Sequence, residues 1–549
     1  MKIKSGAIAF FAFSLGLTAC DEPQLKPDLP PDLLGEKIGV VDFPSGCAGG
    51  AGALVERGVA FLHHMMYANA RLVFAMASKE DPNCALAYWG EAMTHIHPLW
   101  PDRPSADAIA TGESLVAKIK LSTTHSDREA AYAATTGAYF QDGAKLTEEE
   151  RLARFEAAWK HVAQTNPEDL EAQAFFALSQ LATASPDDKS YKKQRAAGAI
   201  VESILQDSPE HPGAHHYTIH AYDSPELAPK ALAVARNYGR LAPKVPHAAH
   251  MMTHTFTRLG LWDEAIEWNQ TSADAAWALC LELGGVISHY QHALDYMAYA
   301  HLQKAEDEQA LEIVKKAANL KAPFNDINRA TMAYAFAAIP TRYALERQDW
   351  AAAASLAPKT PSSFPWDDTQ LQYIAIIHFG RAMGLARLGD TAAADEEIEV
   401  LLDLEKRIAF YSAYWAKQVA VQRISAQAWS AYMDGRRDAA RTLMHSAADL
   451  EATTQKSPVT PGEVLPAAEL LGDMLLDFGD FAGATKAYEK ALARSPGRFN
   501  SLFGAGKAAA GMGDALAAKA SFEELIALVS VRAANRPRIE RAKEFLSRQ

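Results

Sequence analysis

Cysteine is scarce in this chain, with four in 549 residues, at positions 20, 47, 84 and 280. That excludes a disulfide-built fold and a cysteine-ligated zinc cluster. Positive charge is also short, at 54 Lys and Arg against 67 Asp and Glu, for a formal net charge of −13. With no basic stripe, nucleic acid is excluded as a partner. No Gly-rich phosphate loop and no adjacent nucleophile–base pair stands out, and no strand-like alternation punctuated by hairpin turns occurs. The apolar run at the start, about Ala7 to Leu17, is shorter than the roughly 20 residues a membrane-spanning helix needs.

What the amino terminus does carry is a targeting segment. Lys2 and Lys4 precede the apolar run, which ends in Leu17-Thr18-Ala19-Cys20. Small residues before a cysteine resemble the bacterial lipoprotein box, so residues 1–19 read as signal peptide and Cys20 as the lipid-bearing first residue of the mature chain. The alternative is an ordinary secretory signal with a chance cysteine. Pro23, Pro27, Pro30, Pro31 and Pro44 make residues 20–46 a Pro-rich tether without helical period. The expected location is the bacterial cell envelope, lipid-anchored and facing the periplasm or exterior, with inner against outer membrane left open. Export permits disulfides. Cys47 and Cys84 flank the first predicted hairpin, so a Cys47–Cys84 bridge is expected there, with two buried thiols as the alternative. Cys280 reads as a buried apolar residue.

At 549 residues, nearly half of them hydrophobic, the chain is too long for one compact core, so several domains or one elongated array are expected. Internal repeats define it. Gly58, Ala70, Phe74 and Pro82 fit the tetratricopeptide (TPR) signature, as do Gly472, Ala484, Tyr488 and Pro496. Gly506, Ala518 and Phe522 follow their counterparts by 34 residues. Weaker copies fill the middle. The predicted fold is all-α, a TPR-like right-handed helical solenoid of antiparallel helix pairs. Its expected divisions are N-terminal repeats with a His-rich groove (47–325), middle repeats (326–460) and C-terminal TPR repeats (461–549).

Ten of the eighteen histidines lie between His211 and His301. HHYTIHAYD (215–223) is followed 34 residues later by AHMMTHTFT (249–257), so His216 and His220 recur as His250 and His254. Histidines four apart share one helix face. On the groove-facing places of each first helix, the repeat beginning at Pro212 has Gly213, His216, His220 and Asp223. The next, beginning at Pro246, has His247, His250 and His254, and a third aligned from Gln291 has His292, Asp295 and Tyr299. Helices packed about 8–10 Å apart can aim such side chains at one ion. A His/carboxylate set without thiolate suits Zn, Fe, Mn, Ni or Cu(II). Asp223 or Asp295 would complete the coordination or orient a ligand histidine. The alternative is that ancestral duplication simply copied packing histidines. Met251 and Met252 read as packing residues, Arg258 as a groove or helix-end residue, and Asn269 as a partner for a ligand histidine or a structural amide. Histidines 63, 64, 95 and 97, with Glu91, form a weaker second cluster.

DPNCALAYWGEAMTHIHPLW and HAAHMMTHTFTRLGLWDEAIEWN, with HHYTIHAYD between them, resemble a family of bacterial TPR proteins largely without assigned activity. The likeness covers about residues 43–350. It implies a shared groove site and names no reaction. Asp223 stands where that pattern has Glu, a carboxylate of shorter reach. Two functions are therefore expected to compete. One is an envelope protein whose groove binds a transition metal (Zn, Cu or Fe), as enzyme or carrier. The other is a metal-free scaffold that binds a peptide or protein partner in the groove.

Overall fold

The computed structural model describes residues 35–548 apart from 101, 102, 125, 284, 322 and 325–327. The signal segment and Cys20 lie outside the described residues. Among those described, twenty-five α-helices run from Ala51–His63 to Pro537–Ser547, with two short 3-10 turns and no strand. No helix among them is long and apolar enough to cross a membrane.

The chain is an all-α TPR-like solenoid in which successive helices pack as antiparallel hairpins. Close approach explains the signature residues. A Cβ on Gly58 or on Gly90 would stand 2.6 or 2.1 Å from the Phe74 ring, so this aromatic fills the gap between one repeat and the next only because both faces lack side chains. Tyr488 sits the same way between Gly472 and Gly504, at 2.7 and 2.1 Å. Acidic and hydroxyl caps start many helices; Thr147 and Glu150 form a full capping box.

Cys47 and Cys84 are joined as a disulfide, tying the strand-like entry segment to the start of helix Ala85–Met93. Cys280 is free and buried. The bridge spans 37 residues, so replacing both cysteines with serine should lower the unfolding free energy by about 4 kcal/mol on the chain-entropy account. Denaturation of the oxidised protein against the double variant measures it, and a difference below about 1 kcal/mol would contradict that account.

The tether ends earlier than its prolines indicate. Ile38, Val41 and Phe43 are buried; Val40 N–H donates to the Glu210 carbonyl at 2.9 Å, and the Phe43 ring stacks on Trp89. One hydrophobic core runs from Ile38 to Ala508 through all the repeats. Only a small second cluster, from Phe499 to Ala542, caps the end.

The superhelix also closes on itself more than a nearest-neighbour array does. Lys417 pairs with Asp187 at 2.9 Å, and Arg103 donates to the Tyr411 carbonyl at 2.6 Å. Arg498, fully buried, donates to Glu346 and Glu469 at 2.8 and 2.9 Å and to the Tyr299 hydroxyl at 3.1 Å. The irregular segment 453–466, between helices Arg437–Ala452 and Ala467–Phe478, packs against the histidine-bearing repeats as a strap. Arg342 fixes it through the Gly462 carbonyl (2.7 Å), and Tyr296 through the Thr460 carbonyl (3.0 Å).

Candidate metal centre

Three first helices of successive repeats form the histidine wall: Pro212–Ala221, Pro246–Arg258 and Ser288–Gln303. The first two begin on a proline, whose fixed φ and missing N–H suit the first helical position. The third begins at Ser288, three residues before the predicted start. Counted from Ser288, the groove-facing places are His289, His292, Tyr296 and Tyr299 rather than His292, Asp295 and Tyr299. The cause lies in the preceding helix, Trp262–Leu283, which at 22 residues is longer than its counterpart Ala228–Leu241 at 14.

Two triads of imidazoles result. The ligand-capable atoms of His250, His254 and His292 lie within 4.8 Å of one another, as do those of His216, His220 and His247. Each triad draws on two helices, and the two adjoin: ring centres are 5.9 Å apart for His220–His254 and 6.1 Å for His247–His250.

Hydrogen bonds fix the tautomers in the first of these. Asn269 donates its amide to the Ala265 carbonyl (2.7 Å), so its oxygen is the atom facing His250 Nδ1, and it accepts from that nitrogen at 2.7 Å. His254 Nδ1 donates to the Asp223 carboxylate at 3.1 Å. Both neutral rings therefore carry their proton on Nδ1. Their Nε2 lone pairs face each other at 3.0 Å, with no proton between them. His292 Nδ1, also buried, has no partner. Buried lone pairs directed at one another are costly unless a cation or proton sits between them. Burial, reinforced by neighbouring imidazoles, drives the pKa of His250 and His292 well below the ordinary histidine value, so a proton is disfavoured there.

In the other triad, His216 Nδ1 donates to the His63 carbonyl at 2.6 Å, again leaving Nε2 as the free donor atom, 3.1 Å from His220 Nε2. Here His220 can supply a proton to that contact. Neither nitrogen of His247 has a partner. Burial and adjacent histidines push His216 and His247 well below the usual range, and His220 down to about 3.

Both carboxylates named from the sequence turn out to hold cations, not to join the triads. Asp223 accepts from Arg258 at 2.8 Å and from Lys456 at 2.9 Å as well as from His254. Burial raises its carboxyl pKa, but Lys456 and Arg258 outweigh that and hold it well below the carboxylate range. Its bond to Nδ1 orients the His254 ring. Asp295 lies outside both triads, in a fully buried ion pair with Arg342. The three-residue register shift accounts for this: it removes Asp295 from the face and brings His289 and Tyr296 onto it. The Tyr296 ring meets His250 edge-on at 4.6 Å. Met251 and Met252 are fully buried, and the Met252 sulfur accepts from Gly239 N–H at 3.2 Å.

A third grouping joins His63, His211 and Glu171. His211 Nδ1 accepts from Ala214 N–H at 3.0 Å, which puts its proton on Nε2; that nitrogen lies 3.2 Å from Glu171 Oε1, within ion-pair range but outside hydrogen-bond geometry. His63 Nε2 donates to the same carboxylate at 2.5 Å. His63 and Glu171 thus form a structural brace behind His216. Of the N-terminal cluster, His64 is tied to Ile38 and Tyr238, and His97 stacks on Tyr67.

Sequence reasoning missed three residues of the strap: Pro458 and Val459, which line the cavity beside the histidines, and Lys456, which pairs with Asp223. No local signal marks them.

No protein-family model and no curated protein matches the chain. Among solved structures it is similar to one titled an APC/C hetero-tetramer Cut9-Hcn1, at 13% identity and TM-score 0.35, covering 92% of this chain and 77% of that one. It is also similar to IFIT1 as a monomeric mutant with Gppp-AAAA, at 12% identity and TM-score 0.37, covering 91% and 99%. The human IFIT1 dimer with m7Gppp-AAAA gives 12% and 0.36, covering 87% and 94%. None of these likenesses bears on the histidines.

Proposed function

We propose that this protein is a lipid-anchored envelope component whose solenoid holds a transition-metal ion through His250, His254 and His292. The observation that carries the reading is the pair of unprotonated Nε2 atoms 3.0 Å apart, both rings locked by Nδ1 bonds to Asn269 and Asp223. Second-sphere bonds of this kind are what fix a metal-ligating imidazole. All donors are imidazole, which suits Zn, Cu, Fe or Ni over Mg or Ca. The Cys47–Cys84 disulfide accords with an oxidising compartment outside the cytosol, and the Cys20 box with lipidation there.

Elemental analysis of the full chain, expressed with export, should find stoichiometric transition metal. Replacing His250 and His254 with Ala should remove that metal and leave the helical circular dichroism unchanged. A metal-free wild-type protein would falsify the reading and favour a scaffold whose partners are proteins. Radiolabelled lipid on the wild type, absent after Cys20→Ser, checks the anchor.

A further inference from the structure

We propose that the two triads hold a pair of copper(I) ions and that the pair binds dioxygen. This rests on the metal-binding reading above and adds the number of ions, their identity and their ligand.

The number follows from the triads. His216, His220 and His247 repeat the arrangement of His250, His254 and His292 one repeat earlier, with three ligand atoms again within 4.8 Å. Both His247 nitrogens are buried without a partner, and no donor faces them.

Charge selects the metal. Six neutral imidazoles supply no negative charge. The fixed charges beside them are Asp223 (−1), Lys456 (+1) and Arg258 (+1), a sum of +1. Two divalent ions would raise that to +5, but two copper(I) ions raise it only to +3. Burying uncompensated charge is costly, so a donor set with no carboxylate in it favours the univalent pair. Copper(I) also accepts three nitrogen donors without a fourth, and each triad offers three.

A cavity sets the ligand. It measures about 30 Å³ and touches His220 and His247 of one triad and His254 and His292 of the other. Its remaining walls mix apolar groups (Leu99, Trp100, Met251, Pro458 and Val459) with Ser288, His289, Asn328 and Thr331. Room for more than one water-sized molecule between the two triads admits a diatomic. Dioxygen is the diatomic that two copper(I) ions can reduce by one electron each.

The reaction balances within the site. Each copper(I) gives up one electron; two copper(II) ions form, and dioxygen becomes the peroxide dianion, its O–O bond order falling from two to one. No proton is required. The copper pair plus oxygen carries +2 before (two Cu⁺ and O₂) and +2 after (two Cu²⁺ and O₂²⁻), so the buried site takes up no additional charge.

The test uses the full chain, stripped of metal and titrated anaerobically with copper(I) against a chromogenic chelator. Two equivalents should be withheld, with nitrogen-only coordination by X-ray absorption, and His247→Ala should withhold one. Oxygen should then be consumed at one molecule per copper pair, leaving the copper(II) silent in electron paramagnetic resonance because the two spins couple. Val459→Phe, which fills the cavity from the strap, should keep both copper ions and lose oxygen uptake. A single equivalent, displacement of copper(I) by zinc(II), or a full signal from isolated copper(II) would overturn the pair while leaving a metal protein. Absence of any bound metal would instead remove the reading on which it rests.

Discussion

Asp223→Ala should cost the metal-free protein about 3–5 kcal/mol of unfolding free energy, among the largest effects of any single substitution. The carboxylate is nearly buried between Lys456 and Arg258, whose side chains are 1% and 4% exposed. Removing it leaves two like charges facing each other out of water. Lys456 is the weaker holder of its charge, since burial, only partly opposed by Asp223, has pushed its pKa down to about 8. In the variant it gives up its proton first, so the loss should lie at the lower end of that range near pH 8 and grow as the pH falls. Metal affinity should drop by roughly 10–100-fold, because His254 loses the acceptor that fixes its tautomer. Asp223→Asn separates the two effects: it removes the charge but keeps an acceptor for His254. Its stability loss should match that of the alanine variant, with a smaller loss of affinity. Urea denaturation and metal competition read these, and an alanine variant within about 1 kcal/mol of wild type would refute the ion triple as described.

Arg498→Met should be comparably severe, at about 3–5 kcal/mol, for a different reason. Arg498 separates two buried carboxylates, Glu346 and Glu469, and reaches Tyr299 on the third histidine helix. Without it the carboxylates confront one another unpaired. In the wild type, burial raises the Glu469 pKa, but Arg498 outweighs it and holds the carboxyl below its ordinary value. That contribution is present above the unfolded carboxylate pKa and is lost as the pH falls through the folded one. Burial already holds Glu346 above its ordinary value in the wild type. In Arg498→Met both folded pKa values rise, so the sign reverses at Glu469 and strengthens at Glu346: the variant should gain stability relative to wild type on acidification. Adding Glu469→Gln should restore part of the loss at neutral pH. Melting curves at pH 5 and pH 7.5 test this, and a pH-independent deficit would point to packing instead of charge.

Much of the scaffold was legible because TPR packing is local. Gly58, Phe74 and Gly90 sit at fixed spacing because an aromatic must fit between two bare helix faces, and the same rule places Gly472, Tyr488 and Gly504. His216, His220, His250 and His254 were legible for the same reason, since one proline-started helix follows another by a single repeat. Legibility failed where periodicity did. The eight extra residues of Trp262–Leu283 relative to its counterpart, 22 against 14, moved the next helix out of step, so Asp295 was read into the groove while His289 and Tyr296 were passed over. Distant chain segments were invisible too. Lys456 meets Asp223 across 233 residues, and no pattern near either position anticipates the other.

The strap at 453–466 has a temporal consequence. Polypeptides leave the ribosome and the export machinery amino end first. All six imidazoles are therefore through before the stretch that will roof them. During that interval the basin they form stands open to whatever ions the compartment supplies, and folding of the strap then narrows the way in. On the metal-binding reading, loading is faster in that interval than through the finished fold.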